Sequence, residues 1–213
     1  MESCIPGDER KLFPILDQVT DSGAVVTTVS QILLDDEADY LIDLATQRGL
    51  ERSTVVGDEK VSDVRTSKTS FLGKNQDEVV SCIERRIATV AGQPVANLEP
   101  LQVTKYSQAE KYNPHHDWFS SGKEGKQGQR TMTVFSYLNT LDHGCGGATA
   151  FPRIKDSDGE PLRIFPQKGN AVMWSNRTSS GQVNEETLHG GEEVTCASQK
   201  YGLNAWFRDN QWS

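Results

Sequence analysis

The chain has 213 residues, a formal charge of −8 and a pI near 5.0. That balance speaks against an electrostatic binder of nucleic acid or of an anionic membrane. No apolar run approaches the roughly 20 residues of a spanning helix, and the mixture of 35% apolar and 24% charged residues is that of a folded domain. The N-terminal stretch, Met1 to Asp17, carries acids and bases where a secretory signal needs an apolar core, so the expected location is cytoplasmic. Cys4, Cys82, Cys145 and Cys196 are scattered with no Cys-x-x-Cys, which predicts free thiols. Asn176-Arg-Thr178 matches a glycosylation sequon but reads as an ordinary loop.

In chain order, residues 1–22 read as a loose lead-in and residues 23–213 as one domain. Gly23 to Val29 is β-branched and predicts a strand. Asp35 or Asp36 can cap a helix that carries Ala38, Leu41, Ile42 and Ala45 on one face and stops at Gly49. Val64 to Leu72 predicts a strand after a polar stretch. Asp77 opens a second helix with Val79, Val80, Ile83, Ile87 and Val90 inward and Glu84, Arg85 and Arg86 toward water. Beyond Pro100 the texture is short strands and glycine-rich turns: 101–106, 131–138, 148–152, 162–165, 171–174, 187–189, 193–195 and 200–207. Residues 119–130 read as a mobile loop. Two helices followed by these strands predict a mainly β (α+β) sandwich or barrel with helices on one face.

One stretch carries chemistry: Tyr106-Ser-Gln-Ala-Glu-Lys-Tyr112-Asn-Pro-His115-His116-Asp117-Trp118. Residues i and i+2 of an extended chain share a face, so His115 and Asp117 point together while His116 points away. A third ligand must come from His143, in a glycine-rich turn where histidines are usually solvated, or from His189 at a strand end. Two histidines and a carboxylate form the facial triad of non-haem Fe(II) oxygenases. A hydrolytic zinc site uses the same set, although no His-Glu-x-x-His helix supplies its base. The bland alternative is a pair of surface side chains in a loop.

From about Gly23 to Trp212 the chain resembles the prolyl 4-hydroxylase type of Fe(II)/2-oxoglutarate dioxygenase. Tyr106 to Trp118 is similar to that family's Tyr-x(5)-Tyr-x-Pro-His-x-Asp. Four more segments follow in the family's order: Arg130 to Asn139, Gly146-Gly-Ala-Thr-Ala-Phe-Pro152, Pro166 to Trp174, and His189 to Trp206. Val64-Arg-Thr-Ser67 also resembles a family segment.

The resemblance implies a double-stranded β-helix (jelly roll) with supporting N-terminal helices. It implies Fe(II) on His115, Asp117 and His189, and 2-oxoglutarate with its far carboxylate on Lys200. Tyr106 and Thr149 match positions that hydrogen-bond this co-substrate, and Tyr112, Arg130 and Trp206 match positions near the peptide groove. The implied reaction consumes O₂, uses ascorbate as reductant and releases succinate and CO₂ as a proline in a peptide or protein is hydroxylated. A small-molecule oxygenase of the same fold and a catalytically dead jelly roll that binds ligands or partners are the alternatives; no nucleic acid or membrane partner is expected. Two departures stand out. The family spaces its distal histidine and lysine by ten residues and this chain by eleven (200 − 189), which places an extra residue between Thr195 and Gln199. Arg208 stands where a histidine is familiar.

Overall fold

The computed structural model describes residues 1–21, 23–53, 64–120 and 122–212. Its elements run β1 (Ile15–Asp21), β2 (Ala24–Ser30), α1 (Asp35–Arg48), β3 (Glu51–Arg52), β4 (Lys68–Phe71), α2 (Glu78–Ala91), β5 (Gln102–Tyr106), β6 (Tyr112–His115), β7 (Arg130–Tyr137), β8 (Thr149–Lys155), β9 (Pro161–Ile164), β10 (Ala171–Ser175), β11 (His189–Gly191) and β12 (Lys200–Arg208). They form two antiparallel sheets, one of eight strands in the order β1-β2-β10-β7-β12-β5-β4-β3 and one of four in the order β6-β11-β8-β9. This is the jelly roll, with both helices on the outer face of the larger sheet.

Side-chain alternation sorts the two cores. Along β12, Leu203, Ala205 and Phe207 join Leu41, Val80, Ile83 and Ile87 in the helix-facing core. Lys200, Asn204 and Trp206 line the space between the sheets. Val26, Phe135, Tyr137, Phe151 and Trp174 fill the other end of that space. Helix α1 begins after Leu34, whose N–H donates to Glu37, so Asp35 and Asp36 lie in the first turn rather than at the cap. Asp77 caps α2 by accepting from the Val80 N–H, and Gly92 closes it in the left-handed region at φ 62°.

Several expectations are corrected. The lead-in is not loose: Leu12 is buried, and β1 pairs along its whole length with β2. Glu84 and Arg86 do not face water. Arg86 forms a buried ion pair with Glu37, and Glu84 accepts from the Asn75 backbone N–H. The strand expected over 64–72 is regular only from Lys68, with Arg65 making an isolated bridge to Tyr112; residues 54–63 of the preceding polar stretch lie outside the described residues. The 187–189 strand starts at His189, and 193–195 reduces to a single bridge between Gly146 and Val194.

The cysteines are not free thiols. Cys4 bonds to Cys82, and Cys145 to Cys196, with sequence separations of 78 and 51. The first ties the N-terminal segment to α2. The second ties the Gly144–Gly147 turn to the connection between β11 and β12. Closing loops of this length restricts the unfolded chain by about 4 kcal/mol per bridge. Cys82→Ser is therefore expected to lower stability by about that amount, read from urea unfolding under non-reducing conditions.

Candidate metal centre

Strand pairing brings the two histidines together. In the β6–β11 register, His189 lies directly opposite His115. Gly190 permits the approach, since a Cβ there would come within 2.9 Å of the Tyr112 carbonyl oxygen and 3.1 Å of the Pro114 nitrogen. Asp117 follows β6, and its Oδ1 and Oδ2 lie 3.8 Å from His115 Nε2 and 3.6 Å from His189 Nε2, respectively. One donor atom from each of the three falls within 4.8 Å of the others. Donors about 2.1 Å from a first-row ion sit roughly 3–4 Å apart, so small adjustments close this triangle on a metal.

The protonation pattern fits the same purpose. His115 Nδ1 and His189 Nδ1 each lie 2.9 Å from a carbonyl oxygen, of Asn113 and Thr187. A carbonyl only accepts, so each Nδ1 carries the hydrogen and each Nε2 offers its lone pair to the centre. Burial, aided by neighbouring His189, pushes the His115 pKa down to about 3, which keeps the ring neutral. Burial works to raise the Asp117 pKa, but His189, His115, Arg130 and the Thr133 hydroxyl prevail and hold it at about 2. At neutral pH, His115 is therefore a neutral imidazole and Asp117 a carboxylate. His116 faces away, stacked on Trp118 at 3.8 Å with Nε2 toward the Glu185 carbonyl, and His143 is exposed in its turn.

Beyond the triad the pocket is lined by Tyr106, Tyr112, Thr149, Lys200 and Trp206, so eight of the nine residues singled out from sequence converge there. Lys200 sits opposite Tyr106 in the β5–β12 register and is 1% exposed. Its ammonium lies over the rings of Phe135, Tyr106 and Tyr137 at 5.2, 5.4 and 5.7 Å. Burial lowers its pKa to about 7, with Glu192 offsetting part of that. A buried cation against aromatic faces is suited to receive a carboxylate. Gln199 is exposed and its Oε1 accepts from the Tyr201 hydroxyl, so Lys200 is the residue that faces inward. A bend at 196–198 lies within the stretch where the extra residue was expected. Tyr137, which no motif singled out, has its hydroxyl 2.8 Å from Thr149 Oγ1 and 3.2 Å from the Ile164 carbonyl, and so ties Thr149 to the β9 end of the pocket.

Residues 101–208 match the family described as the 2OG-Fe(II) oxygenase superfamily. The chain belongs to that superfamily. It is a 2-oxoglutarate-dependent dioxygenase. Over 198 residues it is 35% identical to prolyl 4-hydroxylase 5 of Arabidopsis thaliana, a match that covers 84% of this chain and 67% of the relative. Prolyl 4-hydroxylase 2 of the same plant is 34% identical, covering 82% and 64%. The oxygenase thus spans about two thirds of the length of these relatives. Among solved structures, the viral collagen prolyl hydroxylase of Paramecium Bursaria Chlorella virus-1, in a 2OG complex, superposes with TM-score 0.68 at 25% identity, covering 86% of this chain and 95% of that one. A Trichoplax adhaerens prolyl hydroxylase, solved with a hypoxia inducible factor peptide fragment, shares the fold at TM-score 0.64 and 17% identity.

At the pocket mouth of the oxygenase, Tyr112 stacks on His115 at 3.6 Å, and the Arg65 guanidinium lies 4.9 Å from the Tyr112 ring centroid. Burial pushes the Tyr112 phenol up to about 12, so it remains a hydrogen-bond donor. Arg130 lies just outside, 3.7 Å from the Trp206 ring, with Nε and Nη2 both given to Glu99 at 2.8 Å. Glu99 also accepts from Arg208 Nη1 at 2.9 Å, and all three side chains are buried. Sequence reading missed Glu99, because its two partners lie 31 and 109 residues away.

Arg208 does more than pair. Its Nε donates to the Gly128 carbonyl at 2.9 Å and its Nη2 to the Glu124 carbonyl. Gln129 bridges back to both backbone groups of Phe119, and Asp209 and Asn210 bind Gln129, Gln127 and Lys126. The loop expected to be mobile, of which Ser121 lies outside the described residues, is held at many points as a wall beside the mouth. Arg208→Ala removes charge-assisted bonds to that wall and is expected to speed tryptic cleavage after Lys123 or Lys126 by about tenfold. Unchanged cleavage would mean that Arg208 does not hold the loop.

Proposed function

We propose that this oxygenase is a prolyl 4-hydroxylase acting on proline in a peptide or protein. The observation that supports this most strongly is one continuous pocket. It runs from the buried Lys200 ammonium, past the His115–Asp117–His189 cluster, to an aromatic mouth framed by Tyr112 and Trp206. Fe(II) on the triad would supply the redox chemistry that couples 2-oxoglutarate decarboxylation, with release of succinate and CO₂, to hydroxylation of an unactivated C–H.

Every other part belongs to the chain. Lys200 anchors the far carboxylate of 2-oxoglutarate, and its rings exclude water from that ion pair. Tyr106 and Thr149 flank the same carboxylate as hydroxyl donors. Tyr112 and Trp206 hold the prolyl ring by apolar contact, and Arg130, fixed by Glu99, keeps the Trp206 indole in place. The triad needs no protein base beside it, since no proton is taken from the target carbon as an acid. Ascorbate serves as the external reductant. The two disulfides favour an oxidising compartment over the cytoplasm expected from the N-terminal sequence. Among the described residues no helix is long and apolar enough to cross a membrane.

The test is direct. Anaerobic protein with Fe(II), ascorbate and 2-oxoglutarate should develop a visible metal-to-ligand charge-transfer band, and air plus proline-rich peptides should then raise succinate release. No band would remove the metal assignment. A band with succinate release stimulated only by free amino acids would replace the peptide substrate.

Lys200 adds a pH signature. Its pKa in the free pocket is about 7, and a bound carboxylate favours the charged form. Above that pH, binding must take up a proton. The apparent 2-oxoglutarate affinity is therefore expected to fall by up to about tenfold per pH unit above pH 7, measured by calorimetry in buffers of different ionisation enthalpy. In Lys200→Arg, which stays protonated, the profile should be flat; a flat profile in the unsubstituted protein would remove Lys200 as the anchor.

A further inference from the structure

Behind Asp117 runs a chain of hydrogen bonds that no motif announced. Thr133 Oγ1 donates to Asp117 Oδ2 at 2.6 Å, and Asn176 Nδ2 donates to Thr133 Oγ1 at 3.0 Å. All three side chains are buried. The direction of the chain is forced. A threonine hydroxyl has one proton, and the ionised carboxylate can only accept, so the proton goes to Asp117. Thr133 must then accept, which requires the NH₂ edge of Asn176. The cost is visible: Asn176 Oδ1 is buried and has no partner among the described residues. An amide kept in that condition is kept for its donor.

The frame around the chain is rigid. Thr133 sits in the middle of β7, opposite Trp174 of β10 on one side and Trp206 of β12 on the other. Asn176 follows β10 directly, with its N–H on the Thr131 carbonyl and its own carbonyl accepting from the Asn184 N–H, both at 2.9 Å. Asp117, by contrast, lies beyond the end of β6 with no ladder to hold it.

We propose that Asn176 is a positioning residue for the metal site: acting through the Thr133 hydroxyl, it occupies one oxygen of Asp117 and so presents the other to the ion. This rests on the metal reading of the triad given above. A carboxylate with one oxygen engaged binds through a single atom, and that leaves coordination positions free for the co-substrates. The same placement disposes of the sequon at Asn176, because the nitrogen a glycan would take is buried and already donating.

The experiment is a Co(II) titration followed by visible absorbance, without turnover, on the full chain. Thr133→Val, Asn176→Leu and Asn176→Asp each break the chain and are expected to raise the Co(II) dissociation constant about 10- to 100-fold. Thr133→Ser keeps the hydroxyl and should stay within about twofold, since its bond to Asp117 survives. The Thr133→Val/Asn176→Leu double variant should be no weaker than Thr133→Val alone, because both cut one chain. Thermal unfolding of each metal-free variant checks the fold. If Asn176→Leu fails that check, the polar Asn176→Asp carries the decision, since it too lacks the N–H. Wild-type affinity in Asn176→Asp would overturn the proposal, as would additive losses in the double variant. Failure of the unsubstituted protein to bind Co(II) would overturn the metal reading itself, and this inference with it.

Discussion

Asp117→Ala is expected to abolish succinate release, by at least about a thousandfold, because it removes the only anionic donor of the triad. The two remaining imidazoles, with ring centroids 4.4 Å apart, can still touch an ion but cannot neutralise or orient it. Asp117→Glu is a finer probe. It keeps the charge but pushes the carboxylate about one carbon–carbon bond further into a site whose neighbours do not move, and a displacement near 1 Å costs about a hundredfold. Succinate release and a parallel Co(II) titration read both variants. Turnover above a tenth of the unsubstituted rate in Asp117→Ala would remove Asp117 from the ligand set.

Lys200→Met is expected to act in opposite directions on binding and on stability. The shift from the ordinary lysine range to about 7 reports a burial cost of about 4–5 kcal/mol. That cost is fully present below about pH 7, where the folded lysine is charged, and fades as pH rises toward about 10.4, the unfolded value. Methionine has no charge to desolvate, so at neutral pH and without 2-oxoglutarate the variant should melt higher than the unsubstituted protein. Its 2-oxoglutarate requirement should rise at least about a hundredfold, since one member of a buried pair is gone. Thermal scans with and without the co-substrate test both signs. A lower melting temperature in both conditions would mean that the Lys200 stem, and not its charge, matters to the fold.

What sequence reading could reach follows from the range of each signal. The period-2 pattern of β5, β7 and β12 is local and strong, so these strands and the inward face shared by Lys200 and Trp206 were legible. The i, i+2 relation of His115 and Asp117 is likewise local. By contrast, β1 has no buried face, and its exposed edge gives no alternation to detect. Helical spacing places Arg86 toward water because it says nothing of Glu37, its partner 49 residues away. The disulfides were invisible for the same reason. Only the fold brings Cys4 to α2 and Cys145 to the segment before β12. Thr133, Tyr137 and Asn176 are polar residues in strands or beside them, and their roles exist only through groups on other strands.

The two sheets divide the site between them. His115 and His189 are carried by strands of the four-stranded sheet, whereas Tyr106, Lys200 and Trp206 belong to the eight-stranded one. Packed sheets lie about 10 Å apart, so the spacing between the His115–Asp117–His189 cluster and Lys200 is set by how the layers pack and does not depend on the length of chain that joins them. The one extra residue between His189 and Lys200 can be absorbed in the bend without moving either end. If 2-oxoglutarate spans from the triad to Lys200 as proposed, the same gap works as a calliper on it. A diacid one carbon shorter or longer than 2-oxoglutarate cannot reach both jaws at once, so oxaloacetate and 2-oxoadipate should fail to support turnover even where they bind.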